Sequence, residues 1–178
     1  MKEPYNKIRL VAEDINVNAL HWALMKTDAW NLHPERTQSK DSPHYGIHDI
    51  WARYSKEFTD QPHDSVWYPV ADELPVKNIC YGIMASVRGD RLGGVLITKI
   101  PAGKEVKPHV DTSWHAKYYE KFALQVASHP KQKFCFEDEE LVTKPGDLFW
   151  FDNSYSHWVT NDTDHDRITM IICIRRST

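Results

Sequence analysis

The chain has little of what most quickly classifies a protein. It contains three cysteines, Cys80, Cys135 and Cys173, and no Cys-x-x-Cys pair. An odd number of isolated cysteines argues against a disulfide framework and against a cysteine-based zinc site, and leaves small buried apolar residues as the ordinary reading. No apolar run approaches the ~18 residues that suggest a transmembrane helix. The first twenty residues have no sustained apolar segment of the secretory kind, so a soluble, cytoplasmic protein is expected. An excess of one charge is also missing. Lys plus Arg number 22 and Asp plus Glu 25, a net charge of -3. That gives no electrostatic reason to expect a nucleic-acid polymer as partner. There is no internal repeat, low-complexity tract or linker. At 178 residues the chain is about one domain's worth, so residues 1–178 are expected to form one domain.

Aromatic residues are plentiful, seven of them tryptophan, enough bulk for a real core. Up to about Tyr81 the texture is mixed. Ile15, Leu20, Leu24 and Met25 stand at roughly helical spacing within 13–26, and a second helix is expected after Pro75. The stretch 31–49 is polar and punctuated by Pro34, Pro43 and Gly46, hence loop-like. Residues 50–54 read as a strand. From Gly93 onward, short β-branched and aromatic runs alternate with turn signals at 95–100, 107–112, 121–127, 133–137, 140–143, 147–151, 156–160 and 167–175. Eight short strands at close spacing predict a sandwich or barrel with a helical N-terminal part packed on it.

Three elements of this β region carry chemistry. His109 and Asp111 stand two apart, so on a strand they share a face. His157 follows just after a turn. Arg167 lies ten residues further on, at the start of the last strand. Two His and one carboxylate with positions left open form the facial triad of non-heme Fe(II) oxygenases. A buried Arg beyond it would anchor the far carboxylate of a co-substrate, since guanidinium stays charged and offers a planar fork. The ordinary alternative pairs Arg167 with Asp162, Asp164 or Asp166.

With these residues in view, segment 93–175 resembles the aspartyl/asparaginyl β-hydroxylase family of Fe(II)/2-oxoglutarate dioxygenases. The likeness rests on Pro108–Asp111, on Gly146–Asn153 with Ser156–Val159, and on Asp166–Thr169. A looser likeness runs through 42–54, in Ser42-Pro43-His44, Asp49-Ile50-Trp51 and Arg53-Tyr54. The resemblance implies a mainly β fold, the double-stranded β-helix (jelly roll or cupin), over 93–176, with N-terminal helices and supporting strands in 1–92. It implies Fe(II) on His109, Asp111 and His157, and 2-oxoglutarate held by Arg167 with hydroxyls from Thr98 and Thr169. O2 would be consumed, with succinate and CO2 as co-products. Two positions depart from the family pattern. Lys121 and Ala123 stand where an Arg and a His often help hold the co-substrate. Lys121 supplies a point charge rather than a fork, Ala123 donates nothing, and Gln125 on the same face is the candidate to compensate.

For the substrate, the insertion 112–120 is expected to loop over the site, with Trp114 and Tyr118 among its contacts. His44 and Arg53 would line the mouth, the Arg suiting a substrate carboxylate. The leading expectation is a hydroxylase of a peptidyl or free amino-acid side chain. Two others stay open: the same chemistry on a nucleobase or small metabolite, and a metal-binding cupin module without turnover.

Overall fold

The protein is described by a computed structural model covering residues 6–177. In chain order its elements are β1 (Ile8–Ala12), α1 (Asn18–Leu24), α2 (Glu35–Gln38), β2 (His48–Tyr54), β3 (Val66–Trp67), α3 (Val70–Glu73), α4 (Val76–Ser86) and β4 (Arg91–Ile100). Then follow β5 (Val106–His109), α5 (Trp114–Tyr118), β6 (Glu120–Ala127), β7 (Lys133–Phe136), β8 (Glu140–Leu141), β9 (Leu148–Phe151), β10 (His157–Thr160) and β11 (Arg167–Arg175). The eight strand-like runs after Gly93 correspond to β4 through β11. Five elements had no sequence signal: β1, β3, α2, α3 and α5. The segment 112–120 is therefore not a simple loop, because Ser113 accepts the Ala116 N–H and caps the short helix α5.

Two antiparallel sheets face each other. The larger has the order β1-β9-β6-β11-β4-β2-β3 and the smaller β5-β10-β7-β8. This is the double-stranded β-helix, a mainly β fold, with β1, β2 and β3 extending the large sheet at its two edges. Because side chains alternate along a strand, β11 sends Ile168, Met170 and Ile172 outward and Arg167, Thr169 and Ile171 between the sheets. The outward set joins Val95, Ile97, Phe122 and Leu124 in one apolar cluster, which Leu20, Leu24, Val76, Cys80 and Ile83 of the helices cover. In α4 the last three stand at i, i+4 and i+7, one helical face. A second cluster, with Ala123, Phe134, Phe149, Phe151 and Val159, fills the space between the sheets.

The N-terminal segment is tied to the barrel at the turn before β9. Gly146 has φ +94, and a Cβ there would lie 2.7 Å from the Ile15 carbonyl oxygen. Glycine is needed for both reasons. Its N–H donates to the Gln125 carbonyl at 2.9 Å and its own carbonyl accepts from the Ile15 N–H at 3.0 Å. Among the described residues, no helix is long and apolar enough to cross a membrane.

Candidate active site

β10 pairs antiparallel with β5 in a register that sets His157 opposite His109, and the two imidazole centroids are 4.4 Å apart. Asp111 follows just beyond β5, its N–H bonded to the Asn153 carbonyl at 3.2 Å. One ligand atom from each of the three residues lies within 4.8 Å of the others. Nδ1 of His109 is 2.8 Å from the Lys107 carbonyl, and Nδ1 of His157 is 2.9 Å from that of Tyr155. A carbonyl only accepts, so both Nδ1 atoms carry the hydrogen and both Nε2 lone pairs are free. Those Nε2 atoms stand 3.7 and 4.0 Å from the Asp111 carboxylate.

The electrostatics match this arrangement. Burial pushes both imidazoles down, His157 to about 4, so each is neutral at neutral pH. Burial alone would raise the Asp111 carboxyl. The Lys121 ammonium, 3.1 Å away, and the two imidazoles outweigh it and hold the group at about 2. Burial likewise opposes the charge on Lys121, and Asp111 overcomes it, leaving the ammonium above its ordinary range. Two neutral imidazoles with preset lone pairs and one ionised carboxylate converge on one point. That donor set fits a divalent metal with further positions left open.

Arg167 occupies the same cavity. It is 1% exposed. Its Nη2 donates to Thr143 Oγ1 at 3.5 Å, and its Nη1 is buried with no partner. Among the described residues no carboxylate pairs with it. Asp166 instead accepts the Ala102 N–H at 3.1 Å, and Asp164 pairs with His165. Burial lowers the guanidinium to about 10, still charged at neutral pH. A buried, unpaired charge is expensive, so this group is built to meet an anion.

The hydroxyl candidates divide. Thr169 lines the cavity. Thr98 lines it too, but its hydroxyl donates to Asp49 at 3.0 Å and accepts from Arg36 at 2.9 Å, not from Arg167. Gln125 is fully buried and fully engaged. Its Oε1 accepts from Thr143 at 2.8 Å and its Nε2 donates to the carbonyls of Ala127 and Ile168. It therefore braces Thr143 beneath Arg167 and does not line the cavity, a correction to its expected grip on a co-substrate. Thr143, read in sequence only as a strand end, is the hydroxyl that contacts Arg167.

The substrate candidates also divide. His44 lines the cavity, its ring 4.6 Å from that of His109. Arg53 does not reach it. A bulge between Trp51 and Arg53 sets Arg53 opposite Val95, and the guanidinium lies over Trp67 with Nη2 on the Leu92 carbonyl at 3.4 Å. Trp114 stacks on Tyr118 at 5.2 Å, and the Tyr118 hydroxyl is held by Arg91 and Arg175. Neither ring lines the metal-side cavity. A further cation that lines it, beside Lys121 and Arg167, is Arg36, which sequence reasoning passed over. Its Nε and Nη2 bind the fully buried Asp49 carboxylate at 2.5 and 3.0 Å.

The model of the family described as aspartyl/asparaginyl β-hydroxylase matches residues 20–177. No curated protein matches the chain. Among solved structures, an oxidoreductase of the 2OG-Fe(II) oxygenase family from Burkholderia pseudomallei is similar at TM-score 0.58 and 9% identity, over 75% of this chain and 70% of that one. A viral collagen prolyl hydroxylase from Paramecium bursaria Chlorella virus-1 is similar at TM-score 0.56 and 9% identity, over 97% of both chains. A Pseudomonas putida prolyl-4-hydroxylase is similar at TM-score 0.55 and 11% identity, over 97% and 94%. At such identities the likeness concerns the fold. The match of the family model spans every strand but β1, the imidazole–carboxylate cluster and the buried guanidinium, and by it the chain belongs to the aspartyl/asparaginyl β-hydroxylase family.

Proposed function

We propose that the protein is an Fe(II)- and 2-oxoglutarate-dependent dioxygenase that hydroxylates an amino-acid side chain, peptidyl or free, with succinate and CO2 as co-products. The observation that carries this reading is Arg167: a buried guanidinium with a free nitrogen and no carboxylate of its own, in one cavity with His109, Asp111 and His157. A dicarboxylate co-substrate answers both ends of that cavity.

The roles follow from the geometry. His109, Asp111 and His157 would hold the metal from one side. Arg167, propped by Thr143, would fix the distal carboxylate. Lys121 adds positive charge at the metal end. Leu96, Phe134, Phe151 and Trp158 line the cavity and keep it dry, which strengthens every charge interaction inside. When bound, the metal and 2-oxoglutarate supply the oxidising chemistry, and the protein supplies position and exclusion of water.

The test is anaerobic. Fe(II) and 2-oxoglutarate are added to purified protein, and the visible charge-transfer band of the chelate is measured. The band is expected in the wild type, absent in His157→Ala, and to require far more 2-oxoglutarate in Arg167→Ala. Metal binding with no band, and equal behaviour of Arg167→Ala, would leave a metal-binding module in place of an oxygenase.

A further inference from the structure

Past Asp111 and Lys121 the cavity continues into a second hollow of about 220 Å³. Two of its walls are rings of β2, Trp51 and Tyr54, with centroids 4.8 Å apart. A third wall is His115 of α5, 5.1 Å from Tyr54. Leu96, Ile171 and Cys173 add hydrocarbon and thiol. Gly94 lies between the walls. A Cβ there would sit 3.2 Å from His115 Cε1 and 3.3 Å from Tyr54 Cδ2, so the missing side chain keeps the gap open.

The polar groups of this hollow are largely spent on one another. The Gly94 N–H donates to His115 Nε2 at 3.0 Å, and Ser113 Oγ accepts the Ala116 N–H at 3.1 Å. Arg36 is bidentate to Asp49, and Lys121 stands against Asp111. Trp51 Nε1–H, by contrast, is buried without an acceptor. The volume equals roughly seven waters at about 30 Å³ each, the scale of one medium-sized amino-acid residue.

We infer that this hollow receives the substrate's reacting side chain and selects a neutral, hydrocarbon-rich one, aliphatic or prolyl, over a side chain bearing a carboxylate. The inference rests on the oxygenase reading above and names its substrate class. A carboxylate entering here sheds its hydration and finds no cation that lacks a partner. A hydrocarbon side chain sheds nothing of that kind and gains burial against the rings.

The test uses the anaerobic protein loaded with Fe(II) and 2-oxoglutarate. It is titrated with the N-acetyl methylamides of leucine, proline and aspartate. Binding is read from the perturbed charge-transfer band and from tryptophan fluorescence. The leucine or proline derivative is expected to bind about tenfold tighter than that of aspartate. Gly94→Ala is expected to weaken the apolar ligand about tenfold, the order of effect of one methyl group in a pocket. Tyr54→Arg, which puts a cation on a half-exposed wall, is expected to shift preference toward aspartate, with thermal melts showing that both variants fold. The inference is overturned if the aspartate derivative binds as tightly as the leucine one, or if folded Gly94→Ala binds the apolar ligand unchanged. Absence of the band from the wild type itself overturns the oxygenase reading, and this one with it.

Discussion

The two faces of the seven-stranded sheet are made by the same strands and do opposite work. On the outer face, Ile168, Met170, Ile172 and Ile174 meet Val95, Ile97, Phe122 and Leu124 under the helices. Each such burial contributes on the order of 1.5–3 kcal/mol. On the inner face, the neighbouring positions of those strands are Arg167, Thr169, Thr98 and Lys121, all lining the cavity. Buried charges of that kind cost stability unless paired. A period of two thus sorts one set of strands into a face that holds the fold and a face that spends some of that stability on ligand binding.

This division can be broken from either side. The largest effect is expected on the inner face. His157→Ala should weaken metal binding by more than about 100-fold, the loss that even outer partners of a metal ligand can produce, while the melting temperature changes little. Calorimetric titration with Fe(II) or a redox-inert divalent ion, beside a thermal melt, measures both. Ile172→Ala on the outer face should do the reverse. It should cost about 2–5 kcal/mol and lower the melting temperature by roughly 5–15 °C, with 2-oxoglutarate affinity unchanged in the folded fraction.

Acid sharpens the contrast, because His115 is buried beside the inner cavity and burial holds it at about 3, below its ordinary 6.5. The unfolded chain therefore takes up that proton first as pH falls. The stability this group contributes is complete above about pH 6.5 and is lost as pH drops toward 3. Between pH 6.5 and pH 5 the loss should be about 2 kcal/mol. His115→Gln should lose that much less over the same interval, as followed by urea unfolding at the two pH values. The smallest effect is expected from Arg167→Lys, which keeps the charge and loses the fork. It should raise the 2-oxoglutarate dissociation constant about tenfold, with a melting temperature near that of the wild type.

The strands were legible because turn residues and β-branched runs punctuate 93–175 so regularly. The metal cluster was legible because His109 and Asp111 stand two apart on one face and His157 has its own strand opposite. Arg36 was not legible. It comes from a four-residue helix inside a polar stretch, and its partners Asp49 and Thr98 are 13 and 62 residues away. Nothing local announces such a pair. Arg53 misled for a different reason. In a regular strand it would share a face with Trp51, and the bulge between them turns it away from the cavity. Gln125 points inward as alternation requires. Backbone carbonyls and Thr143 had already claimed its amide, and a sequence does not display prior engagements of that kind.

The strand order has a consequence for how the chain assembles. β11, the latest strand in sequence, lies in the middle of the large sheet, between β4 and β6. Until it arrives, β4 and β6 each present a bare edge to solvent, the kind of surface that invites pairing with another chain. Most of the sheet's closure is therefore long-range in sequence, which slows folding. Arg167 opens that same strand, so the step that joins the two halves of the sheet is also the step that delivers the buried cation. A partly folded molecule is thereby denied its anion anchor, and competence to bind the proposed co-substrate, 2-oxoglutarate, would report that the barrel has closed.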